Sequence, residues 1–335
     1  MLKDRMIRFG IIGCGAVTEI AYLPSFRRER SFKLTCIVDE DESRALSLAK
    51  GLDLYYAGKD IEPIYKHVDA VIVATPNFLH APVAIQCMES GKHVLCEKPL
   101  SCNAQNAYGM VDCAKRNSVK LAVSHIRRFY PSSQAVKKII QNRQLGDVVS
   151  FDCEEGISFA WPTVSGFFFD KEKAGGGVLM DIGVHLLDLL MWWLDSEPNI
   201  LTYEDDNLGG VEAFSKMKLG FHNGINGSIR LSRLTHLRNT YRIKCEIGTI
   251  EYDPFDMSSF SIYDDESPTE KRREITRATK KSFTFVDAVK SMLHDFCTAI
   301  RGDSTPMIKG TEGIKVLELI QKCYENKKLI EMSWL

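Results

Sequence analysis

Residues 7–18, which read IRFGIIGCGAVT, set the architecture of the amino-terminal half. A short β-branched apolar run leads directly into two glycines and then into a helical pattern. Gly13 permits a tight turn, and Gly15 lets the backbone approach a pyrophosphate, whose charge then lies at the helix N-terminus. Thr18 replaces the third glycine of the full fingerprint. The stretch predicts a dinucleotide-binding turn that includes the backbone of Cys14, Ala16 and Val17, and the alternative is a glycine-rich turn without a ligand.

Short apolar runs and longer amphipathic segments alternate through the first third of the chain. Strands this apolar and this short, separated by helices, are typical of a parallel sheet that is covered on both faces. The predicted strands are 8–12, 34–38, 70–74, 93–96 and 120–123, and the predicted helices are 42–50, 80–90 and 103–117. The pattern therefore predicts a Rossmann-type α/β domain.

An acidic residue, Asp39, ends the second predicted strand about 20 residues after the turn, where the fingerprint places a ribose-binding acid. Three further acids follow it, at positions 40–42. A 2′-phosphate beside this cluster would meet like charge, which costs about 1 kcal/mol at 4 Å even in water. The cluster favours NAD over NADP, although Arg44 leaves NADP open as an alternative.

Length and composition bound the function. The 335 residues predict two domains, which we place at 1–125 and 126–335. The formal net charge of -1 provides no attraction for nucleic acid or an anionic membrane, so a small molecule is the expected ligand. The ten cysteines form no C-x-x-C pair, and neither a signal peptide nor a spanning apolar run is recognisable, so we expect a cytoplasmic protein with reduced thiols and no metal site.

The second half changes to alternating strands. Residues 213–221, 225–231 and 241–247 alternate apolar with polar side chains, and Asn223-Gly224 is a hairpin turn signal. This pattern predicts a large, mostly antiparallel sheet with one covered face, in an α+β domain. The charged stretch 264–281 predicts a loop or a hairpin. The aromatic stretch 159–169 is expected to lie half in the core, with Trp161 offering a flat apolar face to a sugar.

Two sets of ionisable side chains are candidates for an active site. Lys98 follows the predicted strand 93–96, at the carboxyl edge where α/β sheets bind ligands. Asp181, His185 and Asp188 fall within about 60° of one another on a helix that is otherwise apolar on every side. Buried ionisable groups are costly unless they are paired or used. The alternative interpretations are a solvated lysine and a satisfied core histidine.

Five motifs make the chain resemble the Gfo/Idh/MocA oxidoreductase family, which includes inositol dehydrogenases, sugar dehydrogenases and ketoreductases. The resemblance runs from residue 7 to about 195 and thins towards the C-terminus, where helices at 286–301 and 311–325 are predicted. The motifs are GxGxxx at 13–18, Ala-Thr-Pro-Asn at 74–77, Glu-Lys-Pro at 97–99, Arg-Arg-Phe-x-Pro at 127–131 and GGGxxxDxGxH at 175–185.

The resemblance implies site residues. Lys98, Asp181 and His185 would be catalytic and would contact substrate, and Pro99 would be cis. The residues implied to border the cofactor are Thr75, Pro76, Asn77, His80, Glu97 and Lys98. Arg128 matches a position that contacts substrate or structure in the family.

The resulting prediction is an NAD-dependent enzyme that moves a hydride between the nicotinamide and a secondary alcohol or ketone of a sugar, cyclitol or sugar derivative. Family members associate through the second sheet, so a homodimer or homotetramer is expected. Two alternatives remain: an NADPH-dependent ketoreductase of a nucleotide-linked sugar, and a non-catalytic dinucleotide-sensing regulator, which would not need Lys98, Asp181 and His185.

Overall fold

The computed structural model describes residues 5–27, 29–163, 165–264, 273–302 and 304–330. The strands are β1 Ile7–Ile12, β2 Phe32–Val38, β3 Tyr56–Gly58, β4 Ala70–Val73, β5 His93–Cys96, β6 Leu121–Val123, β7 Val148–Gly156, β8 Asn199–Asp205, β9 Phe214–Gly220, β10 Asn226–Ser232, β11 Thr240–Cys245, β12 Gly248–Tyr252, β13 Ser259–Asp264, β14 Arg273–Arg277 and β15 Lys328–Leu329. The α-helices are α1 Leu23–Ser25, α2 Glu42–Ala49, α3 Asn77–Glu89, α4 Ala104–Arg116, α5 Pro131–Gln141, α6 Lys171–Ala174, α7 Val184–Leu194, α8 Phe285–Arg301 and α9 Gly310–Glu325. Two π-helical turns, Thr18–Tyr22 and Leu179–Gly183, precede α1 and α7.

The chain forms two compact units, which are described separately. The first unit contains residues 1–125, 162–175 and 285–317, and the second contains 126–161, 176–284 and 318–335. The predicted boundary at 125 coincides with a unit boundary. The predicted assignment of everything beyond 125 to the second domain does not hold, because two later segments return to the first unit.

The first unit is built on a parallel sheet with the strand order β3-β2-β1-β4-β5-β6. The five strands predicted from the sequence are present within two residues of their predicted ends. The pattern missed β3, which has three residues of which only Gly58 is buried, too little for an apolar run. The Rossmann-type architecture predicted for this part of the chain is confirmed.

Helix α8 returns to the first unit because the sheet needs cover on both faces. Phe296 of α8 packs against Phe9 of β1, with ring centroids 6.4 Å apart, and Phe9 meets Phe32 of β2 at 5.9 Å. All three rings are buried. His294 of α8 also lies 3.1 Å from the Glu29 carboxylate, so apolar and polar contacts both hold this helix on the sheet.

The second unit is built on a mixed sheet with the order β14-β13-β12-β11-β7-β10-β9-β8-β15. Its pairs are antiparallel except β7 with β10 and β8 with β15. Strands β9 and β10 form the predicted hairpin, with Gly224 at a φ of 85° in the turn. Strands β13 and β14 pair as a hairpin, and residues 265–272 between them lie outside the described residues.

One face of this sheet is covered by helix α7. Trp193 of α7 packs edge-on against Tyr241 and Tyr252 of the sheet, and its indole N–H donates to the Ser133 carbonyl of α5 at 3.0 Å. A buried indole keeps its hydrogen bond in this arrangement. Helix α7 is therefore held by the sheet on one side and by α5 on another.

The start of the segment that carries Asp181 and His185 is held by a buried carboxylate. Glu212 accepts hydrogen bonds from the backbone N–H groups of Gly177 (2.9 Å) and Leu179 (3.0 Å) and from the Tyr324 hydroxyl (2.8 Å). Burial raises the pKa of Glu212, and these bonds offset part of that effect. Gly177 lies so close to the Glu212 backbone that a Cβ would overlap its carbonyl oxygen.

Helix α7 is further held by a buried ion pair. Arg128 forms two hydrogen bonds to the Asp188 carboxylate, at 2.6 and 2.9 Å, and the two side chains are 4% and 1% exposed. The neighbouring Arg127 pairs in the same way with Glu155 of β7. Removing one member of such a pair leaves an uncompensated buried charge and costs about 3–5 kcal/mol.

Two apolar segments between β7 and β8 differ in burial. The described residues of 157–170 include no fully buried side chain, and Trp161 and Phe169 are exposed, so the expectation that half of this aromatic stretch is core is wrong. The segment Lys171–Leu194 is long and apolar enough to cross a membrane by length and composition alone, but 72% of its most apolar window is buried inside the fold, as in a core helix.

We predict that Gly177→Ala lowers the free energy of unfolding by about 2 kcal/mol or more, because the new methyl group displaces Glu212 from the start of the helical segment. Urea unfolding followed by circular dichroism measures this change. Gly109→Ala is the matched control, since Gly109 lies in α4 with open space around its Cβ position. There alanine should raise the free energy of unfolding by about 0.5–1 kcal/mol, because alanine favours the helix more than glycine does. Equal midpoints for the two variants would contradict the close approach.

Candidate functional site

The glycine turn after β1 closes on two neighbouring strands. Gly13 has a φ of 107°, and a Cβ there would overlap the Ala74 carbonyl at the end of β4. The Thr18 hydroxyl donates to the Gly13 carbonyl at 2.6 Å. The residue that replaces the third glycine therefore adds a hydrogen bond across the turn. Only glycine fits position 13, because both the φ angle and the approach exclude a side chain.

Two features of this turn fit a bound dinucleotide. A Cβ on Gly15 would meet nothing within 4 Å, so open space lies over the backbone between Cys14 and the half-buried Ala16 and Val17. The Thr75 hydroxyl, just beyond β4, is buried without a hydrogen-bond partner among the described residues. A buried hydroxyl without a partner is costly, and a polar ligand over the turn would satisfy it.

Asp39 and Arg44 both contact the glycine turn. The Asp39 carboxylate accepts one hydrogen bond from the Cys14 N–H (2.6 Å) and one from the Asp41 N–H (3.0 Å). Each carboxylate oxygen has a second lone pair that a ribose hydroxyl can use. The Arg44 guanidinium donates to the Cys14 carbonyl, which brings a positive charge to the same turn. Asp39 therefore anchors the turn in addition to its predicted ribose-binding role.

The Glu-Lys-Pro segment follows β5, and its Lys98–Pro99 peptide bond is cis, as the resemblance implied. The Glu97 carboxylate accepts from the Tyr22 hydroxyl (2.6 Å) and from the Lys98 N–H (3.1 Å). Burial raises the pKa of Glu97, while Tyr22 and the Lys98 charge lower it. The contacts of Glu97 thus hold the backbone of Lys98 in place and connect it to the helical turn after the glycines.

His80 lies between two loops at the carboxyl edge of the sheet. Its Nδ1 is 2.7 Å from the Pro99 carbonyl and its Nε2 is 2.9 Å from the Thr75 carbonyl. Burial lowers the pKa of His80 to about 4, and the neutral ring donates a hydrogen bond to one of the two carbonyls at a time. These contacts make His80 a link between the loops after β4 and β5, and its predicted contact with the cofactor stays a prediction.

Asn77 is the first residue of α3 and follows Pro76, which is the N-cap residue of that helix. The Asn77 side-chain amide donates to the Ala174 carbonyl at 2.9 Å, within the same unit. This bond joins the loop after β4 to the returning segment 162–175. The predicted cofactor contacts of Pro76 and Asn77 remain predictions.

Asp181 is half-buried and is paired in the second unit. Arg233, which is buried at 5% exposure, contacts the Asp181 carboxylate at 3.0 Å and stacks over the Phe159 ring at 5.2 Å. His185 is half-buried on the next turn. Asp181 lies within the π-helical turn Leu179–Gly183, and such wider turns are frequent at functional sites.

The single polar stripe predicted for this helix does not hold for Asp188. Asp188 is 1% exposed and committed to Arg128, whereas Asp181 and His185 remain accessible. Asp181 lies in the π-helical turn, so its angle to the other two side chains differs from the 100° per residue that the prediction assumed. His185 and Asp188 keep α-helical spacing, and Asp188 differs from His185 because Arg128 covers it. The same ion pair assigns Arg128 a structural role, and its contact with substrate stays a prediction. Trp161, at 42% exposed, is accessible as its predicted role requires.

Three residues that shape the site have no sequence signal. Tyr22 reaches Glu97, Arg233 reaches Asp181, and Glu212 holds the start of the helical segment, each across a long sequence separation. None of them belongs to a motif, and a tyrosine, arginine or glutamate at these positions is indistinguishable from ordinary surface composition. Only the fold brings them to their partners.

Comparison with known protein families identifies both halves of the chain. The model of the oxidoreductase family with an NAD-binding Rossmann fold matches residues 7–125, and the model of the GFO/IDH/MocA C-terminal domain matches residues 133–251. The two matched ranges fall on the parallel sheet and on the mixed sheet, respectively.

Similar proteins span the whole chain. A D-xylose 1-dehydrogenase (NADP(+)) of Haloferax volcanii is 26% identical over 327 residues, which covers 95% of this chain and 96% of that protein. Among solved structures, an aldose-aldose oxidoreductase from Caulobacter crescentus complexed with glycerol superposes with a TM-score of 0.85 at 22% identity, covering 96% of this chain and 97% of the other.

A levoglucosan dehydrogenase in complex with NADH and levoglucosan gives the same TM-score of 0.85 at 22% identity, with coverage of 96% and 97%. These two likenesses show the fold, and the family models cover the elements that carry the glycine turn, Lys98, Asp181 and His185. The chain belongs to the Gfo/Idh/MocA family and is an NAD(P)-dependent oxidoreductase that acts on CH–OH groups.

Proposed function

We propose that this protein is an NAD-preferring dehydrogenase whose substrate is a secondary alcohol or ketone of a sugar, cyclitol or sugar derivative. The observation that carries the proposal is the accessible pair Asp181 and His185 on a mostly apolar, buried helical segment whose further carboxylate, Asp188, is already paired with Arg128. A folded protein keeps ionisable groups in such a setting at a free-energy cost, which favours a use for them.

Three side chains have separate roles in the proposed proton transfer. The nicotinamide, when bound, supplies the hydride acceptor or donor. His185 takes the hydroxyl proton of the alcohol, or returns it to the ketone oxygen, because an imidazole titrates near neutral pH. Lys98 donates a hydrogen bond to the same oxygen and stabilises its alkoxide character. Asp181, held by Arg233, orients the substrate or His185.

The substrate class rests on the relatives together with one exposed aromatic face. The similar proteins are named for D-xylose, for levoglucosan and for aldoses, all of which carry secondary hydroxyl groups. Trp161 offers the flat apolar face on which a sugar ring can pack, and Arg128 remains a candidate for substrate contact.

The proposed preference for NAD rests on Asp39. A carboxylate that already accepts from the Cys14 N–H repels a 2′-phosphate at the ribose position. Arg44 acts in the opposite direction, because its guanidinium lies on the Cys14 carbonyl, and it is the group through which NADP would be accepted. The relatives include an NADP(+)-named enzyme and a structure with NADH.

Location and assembly are further parts of the proposal. All ten cysteines are free, as expected for a cytoplasmic protein. The uncovered face of the mixed sheet carries charged pairs such as Arg238 with Asp152 and Arg242 with Glu251, and we place a homodimer or homotetramer contact on this face.

We expect NAD reduction with at least one member of a panel of aldoses, polyols, cyclitols and uronic acids, measured as absorbance at the wavelength of the reduced nicotinamide. Primary alcohols without a neighbouring ring serve as the negative arm. Turnover of none of the cyclic polyols, in either direction of the reaction, would refute the proposed substrate class.

We predict that His185→Ala lowers kcat by roughly 10²–10⁴-fold, because the proton loses its positioned acceptor, while fluorescence titration still shows NADH binding. Lys98→Ala should also lower kcat. The matched controls are His222→Ala and Lys115→Ala, which remove exposed side chains of the same type. If His185→Ala and His222→Ala had the same kcat, His185 would not be the base. Loss of NADH binding in both site variants would make their roles structural.

We predict that Asp39→Asn lowers the ratio of kcat/KM for NAD to that for NADP by about tenfold, since it removes the repelling charge but keeps an oxygen for the Cys14 N–H. Arg44→Gln should raise the same ratio. Asp41→Asn is the control, because it removes an exposed charge two residues away. An unchanged ratio in Asp39→Asn would show that Asp39 does not select the cofactor.

A further inference from the structure

The first unit contains a cavity of about 440 Å³ at the edge of the sheet opposite the glycine turn. Because the sheet is parallel, the amino ends of β1, β4 and β5 meet at this edge, whereas the cofactor turn follows the carboxyl end of β1. The cavity is lined by Arg5, Ile7, Arg8, Tyr65, Lys66, Val68, Asp69, Gly91, Lys92, His93, Ile300 and Arg301.

The lining is strongly cationic. Five lysines and arginines face a single carboxylate, that of Asp69. Asp69 is already satisfied: it accepts three hydrogen bonds from Arg8, including one from the backbone N–H, and one from Arg5 at 2.6 Å. These bonds hold the Asp69 pKa below its ordinary value against the opposing effect of burial. Asp69 is therefore charged, and its two oxygens are already occupied by hydrogen bonds from Arg5 and Arg8.

The remaining cations have no carboxylate partner in the described part of the chain. The Lys92 side chain is half-buried and makes no hydrogen bond or ion pair with a described residue, and burial lowers its pKa while the more distant Asp69 charge partly opposes that effect. Arg301 donates to the backbone carbonyls of Arg5 and Ser31, which holds its guanidinium in place without neutralising it. A half-buried ammonium without a partner costs free energy that an anion would recover.

His93 adds a further donor to the lining. Its Nδ1 accepts a hydrogen bond from the Lys120 N–H at 2.9 Å, and burial lowers its pKa, so the neutral ring carries its proton on Nε2. The His93 N–H group, three arginines and two lysines therefore line one cavity.

Helix dipoles explain only part of this cluster. Arg301 ends α8, where a positive charge is favoured by the negative end of the macrodipole. Arg5 and Arg8 are accounted for by their ion pairs with Asp69. The half-buried Lys92 forms no ion pair with a described residue, and a bound anion would supply the missing partner.

We propose that this cavity is a second ligand site, which binds a small soluble anion that carries phosphate groups. Arginine and lysine together suit phosphate, the guanidinium through paired hydrogen bonds and the ammonium as a point charge. The volume accommodates more than a single phosphate, and the position at the amino edge separates the site from the cofactor turn.

The test is calorimetric titration of inorganic pyrophosphate into the full chain saturated with NADH, so that the glycine turn is already filled, at an ionic strength held constant with NaCl. We expect saturable binding that Lys92→Gln weakens by about tenfold or more, since a charge-assisted hydrogen bond is lost. Lys92→Arg should retain binding. Lys115→Gln is the matched control, because it removes an exposed lysine from the end of α4, outside the cavity.

Three results would overturn the proposal. They are the absence of saturable binding, equal weakening by Lys92→Gln and Lys115→Gln, and cosedimentation with phosphatidylglycerol vesicles that depends on Lys92 while pyrophosphate does not bind. Thermal unfolding followed by circular dichroism verifies that each variant is folded. A separate titration of NADH into each variant reports on the cofactor turn.

Discussion

A parallel sheet must be covered on both faces, and this constraint organises the first unit. The crossover helices are local in sequence, but α8 comes from the far end of the chain to place Phe296 on Phe9. Because the strands run parallel, their carboxyl ends all lie at one edge of the sheet and their amino ends at the other. The glycine turn, Asp39, Thr75 and the Glu-Lys-Pro segment therefore meet at the carboxyl edge, while the cationic cavity forms at the amino edge.

In the second unit, buried charges position the helical segment that carries the candidate chemistry. Glu212 holds its start through backbone N–H groups, Arg128 holds Asp188 on α7, and Arg233 holds Asp181. Each of these groups is costly to bury alone and is paired in the fold. The pairing leaves Asp181 and His185 accessible, so the same interactions that stabilise the segment also orient the groups proposed to act on substrate.

Local patterns predicted much of both sheets, and the motifs named candidate site residues whose roles stay predictions. The strand runs, the turn at Asn223-Gly224 and the helix at Val286 to Arg301 were readable because period-2 and period-3.6 patterns depend on near neighbours. The three-residue strand β3 was too short for such a pattern. The aromatic stretch 159–169 was predicted to lie half in the core because aromatic runs usually pack inside, but its described rings are half-buried or exposed, and Phe159 packs against the Arg233 guanidinium.

The sequence alone determined the dinucleotide turn, because Gly13 and Gly15 act through the backbone, and it determined the family through motifs that are contiguous in the chain. Only the tertiary structure decided which acids and bases are paired. It pairs Asp188 with Arg128 and Asp181 with Arg233, and it places the Tyr22 hydroxyl where it donates to the buried Glu97 carboxylate. It also gathered the cations of the amino edge from separate elements. Pairing of charges depends on distances between residues far apart in sequence, and only the folded chain sets those distances.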